Sequence, residues 1–367
     1  MKIIITPDKF KGSLTSFEVA KAVADGLRAV NGYLDIHSFP MADGGDGFAA
    51  VMSYYSGAQL RHSNAVDALG KPIEAAWQWQ PDTATAIIEV ATASGLVLLP
   101  ETLRNPLHTS TYGTGLQAKA ALEAGARTIV LGLGGSATND GGAGILSALG
   151  FQLLDAAGQL LPPTGQSLLS VRKIVPPENL PAASWILACD VDNPLTGPDG
   201  AAVIYAPQKG ATTEQVMQLD AGLKNWAAVL KQQTGIDLED QPSLGAAGGI
   251  AAGLKAFFPV TILPGIEMVV KASGLQKVIT GADLLITGEG KLDNQTASGK
   301  VVGYIARLAK DRGIACHALC GQTELDEAGL AAMGIQKVVS LVGGDINATQ
   351  AVEQAAALIK EKAGQLL

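Results

Sequence analysis

Apolar and polar positions alternate in two different rhythms along the chain. At the start, "KIIIT" (2–6) is an unbroken apolar run closed by the polar "PDKFKGSL", the pattern of a strand buried on both faces. Thr15 and Glu18 then form a T-x-x-E capping pattern, and Val19, Val23, Leu27 and Val30 recur at helical spacing. "DIHSFP" (35–40) predicts a second strand, followed by "MADGGDG" and a helix over 48–55. The end of the chain repeats the rhythm. "ADLLITGEG" (282–290) predicts a strand ending in glycines, a helix follows over 298–312, and "ACHALCG" (315–321) predicts the next strand. A short helix, the strand "KVVSLVGG" (337–344) and a final helix from about Thr349 complete it. The fold class is therefore α/β, with five parallel strands in a doubly wound sheet of order 2-1-3-4-5.

The middle of the chain breaks this rhythm. "AVDALGKPIEAAWQWQ" and "TAIIEVA" predict a hairpin or meander; "TIVLGLGG", "SWILACDV" and "AAVIYAP" are further apolar segments, and a long helix runs over 212–234. The expected division is one α/β domain from 1–60 and 268–367, with a second α/β domain, 61–267, inserted into it. A chain of 367 residues agrees with two domains at about 150 residues each.

Composition narrows the function classes. Apolar residues make up 47% and charged residues 16%, ample for buried cores and too apolar for long disorder. The 44 glycines suit many strand-to-helix turns. A net charge of −8 without a basic stripe argues against nucleic acid as partner. An anionic substrate would need locally gathered cations, for which Lys9, Lys11, Lys291 and Lys300 stand in Gly/Ser-rich polar loops. The three cysteines lie in apolar settings, which predicts reduced thiols and a cytoplasmic location. Asp8 interrupts the first apolar stretch, so no signal peptide is expected, and no apolar run approaches the ~20 residues of a membrane span.

"GLGGSATNDGG" (132–142) is the densest chemical signal. Gly132, Gly134 and Ala137 satisfy a loose G-x-G-x-x-A, with Asp155 near the place of a ribose-binding acid. The motif nevertheless sits mid-chain with extra glycines at the helix start. A Walker loop fails because Asn294 and Val301 replace its Gly and Ser/Thr around Gly299-Lys300. The four histidines show no zinc spacing, and there is no G-x-S-x-G elbow. What remains is a set of strand-end loops: "TPDKFKGSLT", "ADGGDG", "GGSATNDGG", "ACDVDNPLTG" and "TGEGKLDNQTASGK". In an open α/β sheet, ligands bind at the carboxyl ends of strands, at the switch in strand order. That places the loops around Asp8–Ser13 and Gly288–Asp293 opposite one another. Carboxylates for Mg²⁺, backbone amides for phosphate, a lysine for developing charge and an Asp as proton acceptor are the inventory of phosphoryl transfer. Each element also has a plainer reading: Asp43, Asp46 and Asp140 as helix caps, Asp190 and Asp192 in a strand-end turn.

"PDKFKGSLT", "ADGGDG", "GTG" (113–115), "GLGGSATNDGGAG", "ACDVDNPL", "APQKGA", "GAAGG" and "TGEGKLD" resemble, in order and over essentially the whole chain, the bacterial glycerate kinases of the glycerate 2-kinase type. The resemblance implies ATP- and Mg²⁺-dependent phosphorylation of D-glycerate. It also implies a flavodoxin-like domain carrying an inserted α/β domain. On the matching motifs it points to Asp190, or Asp293, as general base, and to Lys11 and Lys291 for charge stabilisation. Asp8, Lys9, Ser13, Gly134, Gly135, Ser136, Thr138, Asn139, Gly288, Glu289 and Gly290 are expected to bind substrate or phosphate, and Asp43 and Asp46 to order Mg²⁺. Lys9 departs from the family's P-D-S-[FY]-K, which leaves the acceptor contacts open. Rival readings are phosphorylation of the 3-hydroxyl, a kinase for another hydroxy or sugar acid, or a sensor that binds without turnover. The expected partners are small molecules alone, with a homo-oligomer allowed.

Overall fold

Ile3, Ile4 and Ile5 are fully buried in the middle of a sheet in the computed structural model, which describes residues 1–180, 182–293, 296 and 300–367. In chain order the strands are β1 (Lys2–Pro7), β2 (Asp35–Ser38), β3 (Gln59–Val66), β4 (Pro72–Gln80), β5 (Thr85–Glu89), β6 (Thr128–Gly132), β7 (Gln152–Leu154), β8 (Lys173–Val175), β9 (Ser184–Ala188), β10 (Val260–Leu263), β11 (Leu284–Leu292), β12 (Ala315–Thr323) and β13 (Lys337–Ser340). The chain divides into two compact units, Met1–Asp43 with Gly265–Leu367, and Gly44–Pro264.

In the first unit five strands pair in the order β13-β12-β11-β1-β2, all parallel. Parallel strands need crossovers, and helices Ser16–Val30, Val301–Lys310 and Glu327–Met333 supply them. The first begins where the capping box predicts: Thr15 Oγ1 accepts from Glu18 N, and Glu18 Oε2 accepts from Thr15 N. Its buried Val19, Val23 and Leu27 join Ile3, Ile5, Leu284 and Ile286 in one core. The helix expected from 298 is seen from Val301; residues 298 and 299 lie outside the described ones. Gly288, Glu289 and Gly290, expected in a loop, lie inside β11. The reason is pairing on both sides: Gly288 stands in register with Pro7 and Leu319, and Lys291 with Gln322, so the ladder with β12 runs on past the glycines.

The second unit holds a mixed sheet, β10-β9-β6-β5-β4-β3, and a small β7-β8 ribbon. β3, β4 and β5 form an antiparallel meander, and β5, β6, β9 and β10 run parallel. The segment "AAVIYAP" forms a helix over Ala201–Tyr205, and the long helix spans Thr213–Thr234. One core runs through Trp77, Ile129, Leu131, Trp185, Trp226 and Ile250. The sequence reading set the first domain boundary near 60. Helix Phe48–Ser56 groups instead with the second unit, because it packs on β4 and β5 and its first amides bond to Glu89. Among the described residues no helix is long and apolar enough to cross a membrane.

Candidate active site

The register of the second sheet sets up the glycine loop. Glu89 stands beside Gly132, Gly132 beside Ala188, and Ala188 beside Leu263, so β5, β6, β9 and β10 end in one row. The loops that follow leave from a common edge, where an open sheet binds its ligands. The loop after β6 is held by its backbone: Gly134 N donates to Gly44 O (3.2 Å), Ala137 N to Ser94 O (2.8 Å) and Gly141 N to Gly248 O (2.9 Å). A Cβ on Gly134 would lie 3.1 Å from Gly45 N, and one on Gly135 would lie 2.8 Å from Asp46 Oδ1. Gly44, Gly45 and Asp46 therefore rest directly on the glycine loop, an approach only bare backbone permits.

The side chains of this loop are buried: Ser136 is 7% exposed, and Thr138, Asn139 and Asp140 are 0%. Asp140 accepts from Thr111 N (2.7 Å), Thr111 Oγ1 (2.8 Å), Gly142 N (3.2 Å) and Gly144 N (3.1 Å). Burial raises its carboxyl pKa and these donors oppose the rise. Asp140 thus ties Thr111 to the amides at the start of helix Ala143–Ala148, although the N-cap of that helix is Gly142 and not Asp140. The amides of Gly47 and Ala49, at the start of helix Phe48–Ser56, go to Glu89 at 3.3 and 2.6 Å.

Lys209, on the turn Pro207–Lys209, is 3% exposed and donates to Ser136 Oγ (2.9 Å) and to the Thr138 carbonyl (2.7 Å). Burial pushes its ammonium down to about 7, while Asp140 opposes the shift. Thr138 Oγ1, both polar atoms of Asn139 and Asp46 Oδ1 are buried without a partner among the described residues. Each such atom costs about 1–3 kcal/mol unless an external group satisfies it, so the loop is built to receive hydrogen bonds and to give them. Lys209 is the residue the sequence reading missed. Its motif "APQKGA" is visible in the sequence, but the burial of a lysine is not.

Asp190 follows Cys189 at the end of β9, half-buried. Burial pushes the Cys189 thiol up to about 11, with Asp190 and Asp192 adding to the rise and a backbone hydrogen bond with Val191 opposing it. A protonated, buried thiol is no nucleophile, so Cys189 offers no covalent chemistry at that strand end.

In the first unit the carboxyl ends of β1 and β11 carry a second set. Asp8 N donates to Gly288 O (2.8 Å), and Asp8 Oδ1 accepts from Lys9 N (2.7 Å). Burial, and then the charge of Asp43, raise Asp8 to about 7, against Lys9 and with a smaller contribution from Glu289. Glu289 is 7% exposed. Burial raises its pKa; the Thr296 hydroxyl (2.7 Å) and Lys300 oppose, and Asp43 and Asp293 add. Asp8, Asp43, Glu289 and Asp293 therefore form one electrostatically coupled set. Among the described residues, no group of three or more His, Cys, Asp or Glu is placed to hold a metal ion. Lys11 is exposed. Ser13 gives its hydroxyl to the Val352 carbonyl (2.7 Å), and Lys291 is ion-paired with Glu324 (2.7 Å) in the open. Asp43 and Asp46 fall on opposite sides of the unit boundary.

Asp8 yields a stability prediction. Its folded pKa of about 7 lies above the ordinary 3.8, so its contribution to stability is present below about pH 4 and is lost as pH rises through 7. Asp8→Asn is expected to raise the melting temperature at pH 8 and to leave it unchanged at pH 4. Equal melting shifts at the two pH values would mean that Asp8 is not protonated on folding.

Coupled carboxylates at the strand ends of the first unit, and in the second unit a glycine loop backed by a buried lysine, are groups of the kind an α/β kinase uses. Comparison with known proteins gives the particular family. The family model described as "Glycerate kinase family" matches residues 3–367. The chain is 38% identical over 364 residues to "Glycerate kinase" of Halalkalibacterium halodurans, covering 98% of this chain and 96% of that one. It is 43% identical over 314 residues to "Glycerate 2-kinase" of Escherichia coli, covering 84% of this chain and 82% of that one. A crystal structure described as glycerate kinase 2 from Salmonella typhimurium LT2 superposes with a TM-score of 0.84 at 37% identity, over 100% of this chain and 96% of the other. The chain belongs to the glycerate kinase family.

Proposed function

We propose that this protein transfers the γ-phosphoryl group of ATP to the 2-hydroxyl of D-glycerate, giving 2-phosphoglycerate and ADP. The observation that carries the reading is the glycine loop, whose Ser136, Thr138 and Asn139 hold hydrogen-bonding groups in a buried setting with a lysine behind them. The family match over the whole chain supports glycerate as acceptor, and the Escherichia coli relative named glycerate 2-kinase supports the 2-position.

In this reading Asp190 takes the proton of the acceptor hydroxyl, and Asp293 is the second choice. Lys11 and Lys291 offset charge on the carboxylate and on the transferred group; for Lys291 this requires exchange of Glu324 for substrate. Gly134, Gly135, Ser136, Thr138 and Asn139 bind substrate oxygens. Asp8, Lys9, Ser13, Gly288, Glu289 and Gly290 are the first unit's binding residues, and for Ser13 this requires release of its hydroxyl from Val352 O or of its amide from Phe10 O. The donor set fits Mg²⁺ carried on nucleotide phosphates, which takes only one or two protein carboxylates: Asp43 belongs to the coupled set, and Asp46 presents a buried, unpartnered oxygen. When bound, the ion would neutralise phosphate charge.

The fold assignment in this reading is a flavodoxin-like domain interrupted by a second α/β domain, located in the cytoplasm, where the free, buried Cys189, Cys316 and Cys320 stay reduced. The test is incubation with ATP, Mg²⁺ and D-glycerate, followed by phosphorus and proton NMR. The expected product is 2-phosphoglycerate with stoichiometric ADP. A 3-phosphoglycerate signal would overturn the regiochemistry, and no ADP would overturn the substrate.

A further inference from the structure

A buried ammonium normally faces a carboxylate, because desolvating an unpaired charge is expensive. Lys209 does not follow that rule. At 3% exposure, its Nζ donates to a hydroxyl, Ser136 Oγ, and to a carbonyl, that of Thr138. Asp140 acts on it through space only, its own oxygens being bonded to Thr111, Gly142 and Gly144. A methionine of similar volume would fill the place without the cost, so the charge calls for a purpose.

The donor inventory supplies one. In its charged form Lys209 only donates, so Ser136 Oγ is then the acceptor in this bond and its own hydrogen goes elsewhere. Among the described residues no acceptor takes it. Beside it, Thr138 Oγ1 and both polar atoms of Asn139 are likewise buried and unpartnered, an observation independent of the lysine. We propose that Lys209 is the positioning residue of the glycine loop: it fixes Ser136 as a donor toward an oxyanion of the substrate, the carboxylate of the hydroxy acid or a phosphoryl oxygen of the nucleotide. This rests on the reading of that loop as substrate-binding. Lys209 itself does not touch the substrate. Its charge polarises the Ser136 hydroxyl, and its second bond keeps the Thr138 carbonyl, a competing acceptor, occupied.

The experiment is steady-state kinetics on the full chain, varying D-glycerate at saturating ATP and then ATP at saturating D-glycerate. The variants are Ser136→Ala, Asn139→Ala, Lys209→Met, Lys209→Gln and the double variant S136A/K209M. Ser136→Ala and Lys209→Met are each expected to raise the KM of the same substrate about 10-fold or more, with kcat within a few-fold. A shift in the glycerate KM identifies the carboxylate as the oxyanion, and a shift in the ATP KM identifies a phosphoryl oxygen. The double variant is expected to be no worse than Lys209→Met, because the lysine acts through the serine. Lys209→Gln, which still donates, is expected to recover part of the loss. If Lys209→Met does not fold, the cycle is run with Lys209→Gln in its place. Additive effects, or a Ser136→Ala shift without a lysine effect, would overturn the positioning role alone. Unchanged KM values in both Ser136→Ala and Asn139→Ala would overturn the loop reading and the positioning role with it.

Discussion

Asp190→Asn is expected to lower kcat by roughly a thousand-fold or more, with the fold, the melting temperature and both KM values nearly unchanged. Asparagine matches aspartate in size and can still accept a hydrogen bond, but it cannot take the proton of an alcohol at neutral pH. Asp190 is half-buried one residue beyond Cys189, at the strand end whose register partner, Gly132, opens the glycine loop. Its backbone setting is fixed from both sides: Leu133 N donates to Ala188 O (3.3 Å) and Cys189 N to Leu263 O (2.9 Å). An exchange of one carboxylate oxygen for an amide nitrogen should leave that setting alone. Turnover close to that of the parent would remove Asp190 from the mechanism and move the test to Asp293. A large rise in the glycerate KM with little change in kcat would assign Asp190 to binding instead.

The second large effect concerns stability. Asp140→Ala is expected to cost about 3–5 kcal/mol, enough to unfold a marginal protein at physiological temperature. The carboxylate collects bonds from Thr111 N, Thr111 Oγ1, Gly142 N and Gly144 N, all buried. Thr111 Oγ1 in turn accepts from Ile145 N (3.0 Å) and gives its hydrogen to Asp140. Alanine would strand these donors where water cannot replace the lost oxygens. Asp140→Asn is expected to be destabilising as well, since its amide group would meet N–H donors with donors of its own. Denaturant unfolding measures both; a loss under 1 kcal/mol for Asp140→Ala would mean that the loop relaxes and finds other acceptors.

The two predictions separate what a pattern can and cannot show. Asp140 and Asp190 look alike in sequence, each an acid at the end of a glycine- or cysteine-bearing segment after a strand. One is fully buried and saturated with donors; the other is half-buried at a strand end. The difference lies in Thr111, which is distant in sequence and reaches Asp140 only through the fold. Lys209 carries the same lesson in reverse. A lysine after Pro207 reads as solvated surface, yet tertiary packing encloses it and aims it at Ser136.

The sequence alone determined the α/β class, because long apolar runs such as Ile3–Ile5 can only be buried on both faces, and helical spacing such as Val19, Val23, Leu27 can only form one buried stripe. It also determined the family, because eight short motifs in a fixed order over one chain leave little room for coincidence. Only the tertiary structure decided which residues of those motifs are free to act. It drew β11 through Gly288, Glu289 and Gly290, occupied the Ser13 hydroxyl with Val352, and paired Lys291 with Glu324. It also left Thr138 Oγ1 and the side-chain amide of Asn139 without partners among the described residues while burying Lys209 behind Ser136. The physical reason is that residue type and spacing fix local conformation. Burial, hydrogen-bond satisfaction and pKa depend on neighbours that only long-range packing supplies.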